Sequence, residues 1–333
     1  MDLLFAAWLG TPLWLWLAFF TVVAGLLTLD LGVLHRGNRE IGVKESLALS
    51  AFYISVGVAF GLWLWWHSGS ETGLAYLTGF VIEKSLAMDN IFVIAMIFSA
   101  FAIPRNLQHR VLFWGVLGVI VLRALMIGAG VALVENFGWV LYLFAAFLIW
   151  TGIGMWRTAG RDYDVTGSTF YRLLKTRLPI TDGLRGERFV VREEGADGKM
   201  RRFATPLLLA LLMVEFVDIV FAVDSIPAIF AITTDPFVVY TSNIFAILGL
   251  RALYFALAAM VHRFVYLKHA LAVLLIFIGS KIFLADMLGL AKFPPALSLG
   301  ATFGILAAGV GWSLWRTRGG PGRETATQSL SSG

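Results

Sequence analysis

Nine long apolar stretches constrain this chain more than any other feature of its sequence. Each is close to or above the length of about 20 residues that an α-helix needs to cross the core of a bilayer. The stretches are Leu13–Leu34, Ser46–Trp66, Leu74–Phe101, Val111–Val134, Trp139–Trp156, Pro206–Ile232, Phe237–Val261, His269–Ala285 and Pro295–Trp315. Charged residues make up only 14% of the chain, against about 25% in soluble domains. The sequence therefore predicts an all-α polytopic membrane protein with about nine transmembrane helices. It excludes a soluble globular enzyme and a disordered chain.

The basic residues indicate how these helices are oriented. Loops on one side contain 21 of the 26 lysine and arginine residues, whereas loops on the other side contain one, Lys292. Because short loops rich in lysine and arginine stay in the cytoplasm, we expect the amino terminus outside and the carboxyl terminus inside. The net charge of +5 reflects this sorting, so we expect the lipid bilayer as a partner and no nucleic acid.

Two parts of the chain resemble each other in the same order. Glu83 and Asp218 each begin a segment in which an Asp follows six residues later, with an amide or hydroxyl residue directly after it. The matched pairs are Glu83–Asp218, Asp89–Asp224, Asn90–Ser225, Arg123–Arg251 and Gly152–Gly279, at offsets of 127 to 135 residues. Each part holds three predicted helices, so the second crosses the membrane upside down relative to the first. Such a three-plus-three inverted repeat is typical of secondary transporters; a duplicated scaffold without transport is the alternative.

The repeat divides the chain into six predicted parts. They are two amino-terminal transmembrane helices (1–72), a first three-helix repeat (73–156), a basic cytoplasmic loop (157–205), an inverted second three-helix repeat (206–290), a carboxyl-terminal transmembrane helix (291–316) and a disordered tail (317–333). Within the loop, residues 188–192 and 200–203 flank a turn-forming Ala-Asp-Gly-Lys segment, which predicts a β-hairpin. A solvated linker is the alternative, and we assign the loop no chemistry.

Charged residues inside the predicted spans are the strongest functional signal. The acids are Asp30, Glu83, Asp89, Glu215, Asp218 and Asp224. The bases, which we treat as candidate charge partners, are Lys84, Arg123, Arg251 and Lys281. Each costs a few kcal/mol at the centre of a membrane helix, so such groups face a bundle interior or a watery cavity. The excess of two negative charges would suit one divalent cation or two protons. The arginines are equally consistent with buried structural ion pairs, and the lysines with snorkelling or, for Lys84, pairing with an acid.

Helix geometry limits which acids can share a site. Glu215 and Asp218 are three residues apart and share a helix face, whereas Asp224 lies about 180° round a straight helix from Glu215. Both could face one site only if the helix breaks between them or if neighbouring helices pack on both sides. Pro227 supplies a reason for a break, which would also free the carbonyl group of Val223 as an oxygen ligand. Asp30, near the inner end of the first span, and Val223 are therefore candidates for a metal or proton path.

The available ligand types indicate a hard metal ion. The chain has no cysteine, which excludes disulfides, thiolate metal sites and thiol redox chemistry, and its five histidines all lie at span ends or in loops. Oxygen ligands suit magnesium, calcium or manganese. The candidate metal ligands are Glu83, Asp89, Asn90, Glu215, Asp218, Asp224 and Ser225.

Three segments resemble the TerC/Alx family of integral membrane proteins. They are residues 214–230 together with 240–253, residues 83–94, and Leu29-Asp30-Leu-Gly in the first span. The resemblance covers about residues 1–315. It implies a relation to the LysE transporter superfamily, a bacterial cytoplasmic membrane location, manganese export or homeostasis, and a link to tellurite resistance. Carried over by position, the acids in these segments become candidate metal-site residues.

The first functional hypothesis is a secondary transporter that exports a divalent metal, foremost Mn²⁺, by alternating access, with proton coupling left open. The second is an exporter of a small organic solute, for which Arg123 or Arg251 would bind a carboxylate. The third is a membrane scaffold of a stress or tellurite-resistance complex. An intramembrane hydrolase is disfavoured because the His-Glu-x-x-His and Gly-x-Ser-x-Gly motifs are absent. We expect no enzymatic activity and no organic cofactor, and the sequence identifies no protein partner.

Overall fold

All nine apolar stretches contain helix in the computed structural model, which describes residues 7–32, 42–158, 165, 167–194, 199–258, 267–290 and 293–317. The elements are β1 (Ala7–Trp8), β2 (Thr11–Pro12), α1 (Leu13–Gly32), α2 (Val43–Ser68), α3 (Ser70–Ala100), α4 (Arg105–Asn136), α5 (Val140–Thr158), α6 (Thr169–Arg177), β3 (Val190–Glu194), β4 (Met200–Ala204), α7 (Pro206–Phe230), α8 (Pro236–Ile247), α9 (Leu250–Ala258), α10 (Leu267–Met287) and α11 (Pro295–Thr317). The predicted disordered tail lies outside the described residues, apart from its first residue.

The described helices confirm an all-α polytopic membrane protein. Six of them are long and apolar enough to span a membrane, namely α2, α4, α5, α7, α10 and α11. Helices α8 and α9 meet at a bend of 41° and together make a seventh. Helix α3 has 31 residues, but Glu83, Lys84 and Asp89 lie in its middle, so it is more polar than a lipid-facing span. Helix α1 has 20 residues. Because α1 and α3 are not among the seven spans named above, the count of nine spans stays a prediction.

The helices of the two predicted repeats pack across each other. Helix α5 packs on α10, α3 packs on α7 and α8, and α4 packs on α7. In the predicted repeats α3 corresponds to α7, α4 to α8 and α5 to α10. If each helix is exchanged for its counterpart, the α3–α8 contact becomes the α7–α4 contact, and the α5–α10 and α3–α7 contacts stay the same. A two-fold relation would produce this arrangement, and it supports the predicted repeat.

Glycines allow α5 and α10 to approach each other closely. A Cβ atom built on Gly152 of α5 would lie 2.8 Å from the carbonyl oxygen of Ala272 on α10. A Cβ atom built on Gly279 of α10 would lie 2.5 Å from the carbonyl oxygen of Ala145 on α5. Gly279 follows Gly152, and Ala272 follows Ala145, by the same 127 residues. The two contacts are therefore reciprocal.

The prediction that Pro227 breaks its helix is wrong, because α7 continues through it. Proline still leaves the carbonyl group of Val223 without its usual helical N–H donor. The last turn of α7 stays helical because Ile229 and Phe230 are buried against glycines of α3 and α4. Tertiary packing thus overrides the local effect of the proline, as neighbouring helices commonly allow in membrane helices.

The break lies instead between α8 and α9, at Leu248 and Gly249. Gly249 has a φ of +79°, and a Cβ atom on it would lie 2.6 Å from that of Tyr53, so both conformation and space require glycine here. Lys84 of α3 reaches this break, where its Nζ donates to the carbonyl oxygens of Ala246 at 2.8 Å and Leu248 at 3.2 Å. Lys84 is therefore buried rather than snorkelling, and it forms no ion pair with the acids that the structure describes. It binds the negative end of the α8 dipole.

Aromatic packing holds α8 against the amino-terminal helices. The Phe60 and Phe245 rings lie 4.7 Å apart, and the Trp16 and Phe237 rings lie 5.0 Å apart. Tyr76 of α3 donates a buried hydrogen bond to the carbonyl oxygen of Gly57 on α2 at 3.1 Å. These contacts fix the position of α8, which supplies one residue of the site described below.

The loop between the two repeats contains α6 and the predicted β-hairpin. Strands β3 and β4 pair antiparallel from Val190–Ala204 to Glu194–Met200, which confirms the hairpin; its turn, residues 195–198, lies outside the described residues. Phe170 of α6 stacks on Phe216 of α7 with ring centroids 4.1 Å apart. Arg110 of α4 donates to Glu187 at 2.9 Å. The loop therefore packs against the bundle along these contacts.

Candidate functional site

Arg123 of α4 lies at the centre of a buried polar site. Its side chain is almost fully buried, and its Nη1 donates to Oε1 of Glu83 on α3 at 2.5 Å. On its other edge, Nε and Nη2 each donate to Asp218 of α7 at 3.2 Å. The planar guanidinium thus makes a two-pronged contact with one carboxylate and a second ionic contact with another. Glu83 and Asp218 are the matched acids of the two predicted repeats, and one cation joins them.

Three uncharged side chains complete this site, which we call the Arg123 cluster. Arg123 Nη1 also donates to Oγ of Ser225 at 2.7 Å and to Oδ1 of Asn243 at 2.9 Å. Longer contacts run from Asn243 Nδ2 to Glu83 at 3.4 Å and from Asn90 Nδ2 to Asp218 at 3.5 Å. The cluster is therefore Arg123, Glu83, Asp218, Asn90, Ser225 and Asn243, contributed by α3, α4, α7 and α8.

The charges of the cluster do not balance. Two carboxylates face one guanidinium, which leaves a formal charge of minus one in a site largely closed to water. Removing charges from water costs several kcal/mol per ion, and it is offset only by good pairing and further hydrogen bonds. Arg123 supplies most of that compensation here. The excess negative charge makes a further positive charge favourable in this site.

Glu215 lies one helical turn from the cluster but outside it. Its carboxylate packs on α4 at Gly118, where a built Cβ atom would overlap with Oε1. Its Oε2 atom is buried and accepts no hydrogen bond from the described residues. Only glycine at position 118 leaves room for this carboxylate against the helix backbone.

Asp89 lies on α3 next to the cluster residue Asn90. Both residues are buried, and the Oδ1 atom of each accepts no hydrogen bond from the described residues. The positive charge of Lys268, at the start of α10, acts on Asp89. Asp89 makes no hydrogen bond or ion pair with Arg123, so it lies outside the cluster.

Asp224 is separated from the other acids of α7. It is half-buried and lies near Thr151 of α5, whose hydroxyl group donates to the carbonyl oxygen of Leu148 at 3.1 Å. Because α7 is unbroken, Asp224 and Glu215 stay on opposite faces. Among the residues that the structure describes, no three acidic or histidine side chains form a group able to hold a metal ion. The seven predicted ligands are thus divided among several places, and four of them lie in the Arg123 cluster.

A small cavity of about 30 Å³ adjoins the cluster. Asn90 and Asp218 line it, together with Gly115 of α4 and Leu250 after the α8–α9 break. This volume is enough for about one water molecule. Most of the other side chains that line the cavity are aliphatic, so Asn90 and Asp218 supply its polar groups.

Comparison with known proteins places the chain in a family. Residues 68–320 match the model of the integral membrane protein TerC family. The chain belongs to the TerC family. The matched range contains both predicted three-helix repeats and every member of the Arg123 cluster.

Relatives of similar length occur in several bacteria. An uncharacterized membrane protein of Myxococcus xanthus is 47% identical over 312 residues, which cover 94% of this chain and 95% of the relative. A protein of Photorhabdus laumondii named "Putative membrane-bound redox modulator Alx" is 46% identical over 315 residues, which cover 92% of this chain and 96% of the relative. An uncharacterized membrane protein of Rickettsia felis is 46% identical over 295 residues, which cover 89% of this chain and 95% of the relative. No solved structure matches the chain.

The remaining predicted residues of this TerC-family chain lie in different places. Arg251 is buried at the start of α9. Lys281 is buried too, and its Nζ donates to Oγ of Ser298 on α11 at 3.1 Å, so it does not snorkel. The side chain of Val223 is exposed on the outer face of α7. Asp30 belongs to the last turn of α1, and its side chain lies outside what the structure describes.

Asn243 is a site residue that the sequence analysis of this TerC-family chain did not select. It lies in α8, fully buried, and contacts both Arg123 and Glu83. The available signal was an amide in the middle of an apolar stretch, preceded by Ser242. An uncharged amide in an apolar stretch is a weaker signal than a charge, and Asn243 has no counterpart among the matched acids.

Proposed function

We propose that this protein is a secondary transporter that exports a divalent metal ion, most specifically Mn²⁺, out of the cytoplasm. The supporting observation is the sharing of one cation by Glu83 and Asp218. These carboxylates come from α3 and α7, one from each three-helix repeat, and meet inside the bundle. Secondary transporters built from inverted repeats bind their substrates between the repeats, near the middle of the membrane.

The donor set of the site fits a hard divalent cation. Carboxylate oxygens of Glu83 and Asp218, the hydroxyl group of Ser225 and the amide oxygens of Asn90 and Asn243 are the ligand types that manganese accepts. Buried oxygen atoms of Asp89 and Glu215 that lack described donors add acceptors nearby. Because the acids do not converge in this structure, metal binding requires a rearrangement.

Arg123 has a specific role in this proposal. Its guanidinium occupies the position between the two carboxylates that a substrate cation would compete for. Displacing Arg123 by a divalent ion would exchange one positive charge for two and neutralise the pair. Arg123 would then return after release, which keeps the carboxylates paired when no substrate is bound.

The direction of transport, out of the cytoplasm, is taken from the manganese export that the TerC/Alx resemblance implies. Carboxylates would take metal from the cytoplasm, and rocking of the two repeats would expose them to the outside. Protons entering from the outside would favour release by neutralising the acids. Proton coupling is part of the proposal and rests on the carboxylate chemistry alone.

The test is metal export by charge-neutralised variants. Glu83→Gln and Asp218→Asn would be expressed in manganese-sensitive cells at membrane levels matched to the wild type. Glu194→Gln, an exposed acid of the hairpin, serves as the control. We expect wild type and control to lower cellular manganese, measured by elemental mass spectrometry, and the two site variants to lose this effect while remaining folded. Unchanged manganese with the wild-type protein would contradict the proposal.

A membrane scaffold is the second candidate, because the same cluster could serve only to hold four helices together. Replacement of Glu83 or Asp218 would then destabilise the protein or its assemblies without any specific effect on metal. Measuring folded protein by size-exclusion chromatography beside the metal assay separates the two. Loss of export with an intact elution profile favours the transporter, and loss of both favours the scaffold.

Two further readings have less support. Export of an organic solute would need a free arginine for the solute's carboxylate. Arg123 is engaged by carboxylates of the protein itself, and Arg251 is buried and has an interaction of its own. The name of the Photorhabdus relative refers to redox modulation. This chain has no cysteine, so it offers no thiol for disulfide exchange, and thiol chemistry is not part of the proposal.

A further inference from the structure

Lys281 is a buried cation that the transport proposal does not use. Its side chain on α10 is only 4% exposed. Its ammonium group has three N–H donors, and the single described partner is the hydroxyl group of Ser298. None of the described acids forms an ion pair with it. A buried ammonium group without an anion is costly, since buried charges are normally paired.

Lys281 lines a cavity near the predicted outer surface. The cavity has a volume of about 400 Å³, which lies within the usual range of ligand pockets. Its walls come from the start of α5, the end of α7, the end of α10 and the start of α11. All four helix ends lie on the side predicted to face outward. None of its lining residues belongs to the Arg123 cluster.

Hydroxyl groups accompany the ammonium group along this cavity. Thr233 and Thr234, just after α7, and Ser298 line it together with Lys281. Asp286 also lines it, but its side chain is exposed to solvent near the mouth. Water screens an exposed charge far more than a buried one. The inner part of the cavity therefore has a positive electrostatic character.

We propose that this cavity binds an oxyanion, a phosphate or carboxylate group, through the Lys281 ammonium and the neighbouring hydroxyl groups. An oxyanion would compensate the buried charge and accept hydrogen bonds from the ammonium N–H groups that do not bind Ser298. The proposal does not depend on metal transport. The oxyanion could come from either of two sources, a small soluble anion or the headgroup of an outer-leaflet lipid. A lipid could approach across the exposed apolar side chains of Trp139, Met287 and Leu297, which lie close in sequence to the lining residues.

The experiment measures ligand binding by the purified full-length protein in detergent. The probes are inorganic phosphate, acetate and phosphatidylglycerol, and the readout is the shift of the thermal unfolding midpoint with probe concentration. The variants are Lys281→Gln, which removes the charge, Lys281→Arg, which keeps it, and Ser298→Ala. Lys199→Gln, an exposed lysine of the hairpin, is the matched control. We expect Lys281→Gln to weaken binding by about thirtyfold or more, as for the loss of one partner of a buried charge pair. Lys281→Arg and the control should retain binding.

The probes identify the source of the oxyanion. A midpoint shift with phosphate or acetate indicates a soluble anion. A shift with phosphatidylglycerol alone indicates a lipid headgroup, which native mass spectrometry should then find on the wild type and not on Lys281→Gln. Should Lys281→Gln not fold, binding by Lys281→Arg and weakened binding by Ser298→Ala would support the proposal.

Three results would overturn it. The first is the absence of any shift in the wild type with all three probes. The second is an equal shift in the wild type and Lys281→Gln. The third is equal destabilisation by Lys281→Gln and Ser298→Ala with ligand shifts retained, which would mean that Lys281 only ties α10 to α11.

Discussion

Gly279 lies so close to Ala145 that a Cβ atom on the glycine would be 2.5 Å from the alanine carbonyl oxygen. The contacted atom of α5 belongs to the backbone, so it cannot move aside as the end of a flexible side chain could. We therefore expect Gly279→Ala to lower the free energy of unfolding by about 2 kcal/mol, the usual effect of overpacking. Denaturant unfolding in detergent, followed by tryptophan fluorescence, measures the change.

Gly154 of α5 provides the control for this prediction. A Cβ atom there would meet nothing within 4 Å, so Gly154→Ala should be neutral or slightly stabilising through helix propensity. Equal effects of the two substitutions would show that the α5–α10 approach does not limit stability.

Removing Arg123 should destabilise the bundle more than any surface change. Arg123→Met leaves Glu83 and Asp218 buried without a cation, which we expect to lower the free energy of unfolding by about 3–5 kcal/mol. If the carboxylates accept metal, added Mn²⁺ should stabilise this variant more than the wild type, because no guanidinium competes. Thermal unfolding with and without Mn²⁺ tests both expectations. A variant as stable as the wild type would contradict the first, and an Mn²⁺ shift no larger than that of the wild type would contradict the second.

Lys84 should be important for the end of α8. Lys84→Met removes a charged donor from the carbonyl groups of Ala246 and Leu248, and leaving buried acceptors unpaired costs about 1–3 kcal/mol. The same change at Lys175, an exposed lysine of α6, should have little effect. Chemical denaturation of both variants measures the difference, and similar midpoints would argue against a role for Lys84 at the helix break.

The space at Gly118 should be essential for the position of Glu215. A side chain at position 118 would collide with the carboxylate, so Gly118→Ala should reduce metal export as much as Glu215→Gln does, if Glu215 participates. The double variant should be no worse than either single one, because both changes act on the same group. Gly154→Ala of α5 is the control, since a Cβ atom there would meet nothing within 4 Å. Full export by Gly118→Ala at matched membrane levels would contradict this prediction.

Sequence reasoning located the charged residues better than it located the helix break. Hydropathy and repeat matching selected Glu83, Asp218 and Arg123, because charges in apolar stretches are conspicuous. The prediction of a helix break at Pro227 rests on local sequence alone, whereas packing keeps the last turn of α7 helical. The actual break at Gly249 depends on the nearby Tyr53 side chain, a contact between distant parts of the chain that no local pattern reveals.

The division of the predicted ligands had a similar cause. Spacing along α7 correctly separates Asp224 from Glu215 on a straight helix, and only the expected break had placed them together. Asn243 entered the site through tertiary contacts with Arg123 and Glu83. Pairings across four helices are set by packing, so spacing within one helix could not supply them.

The reciprocal contacts of Gly152 and Gly279 make the α5–α10 pair an isologous interface within a single chain. Backbone meets backbone on both sides, so one helix cannot slide along the other without a collision at each end of the contact. Helices α5 and α10 are thus expected to behave as one rigid body. We expect the rocking that opens the bundle to turn about this pair and to change the contacts of α3 with α8 and of α4 with α7, where Lys84 and Arg123 bind.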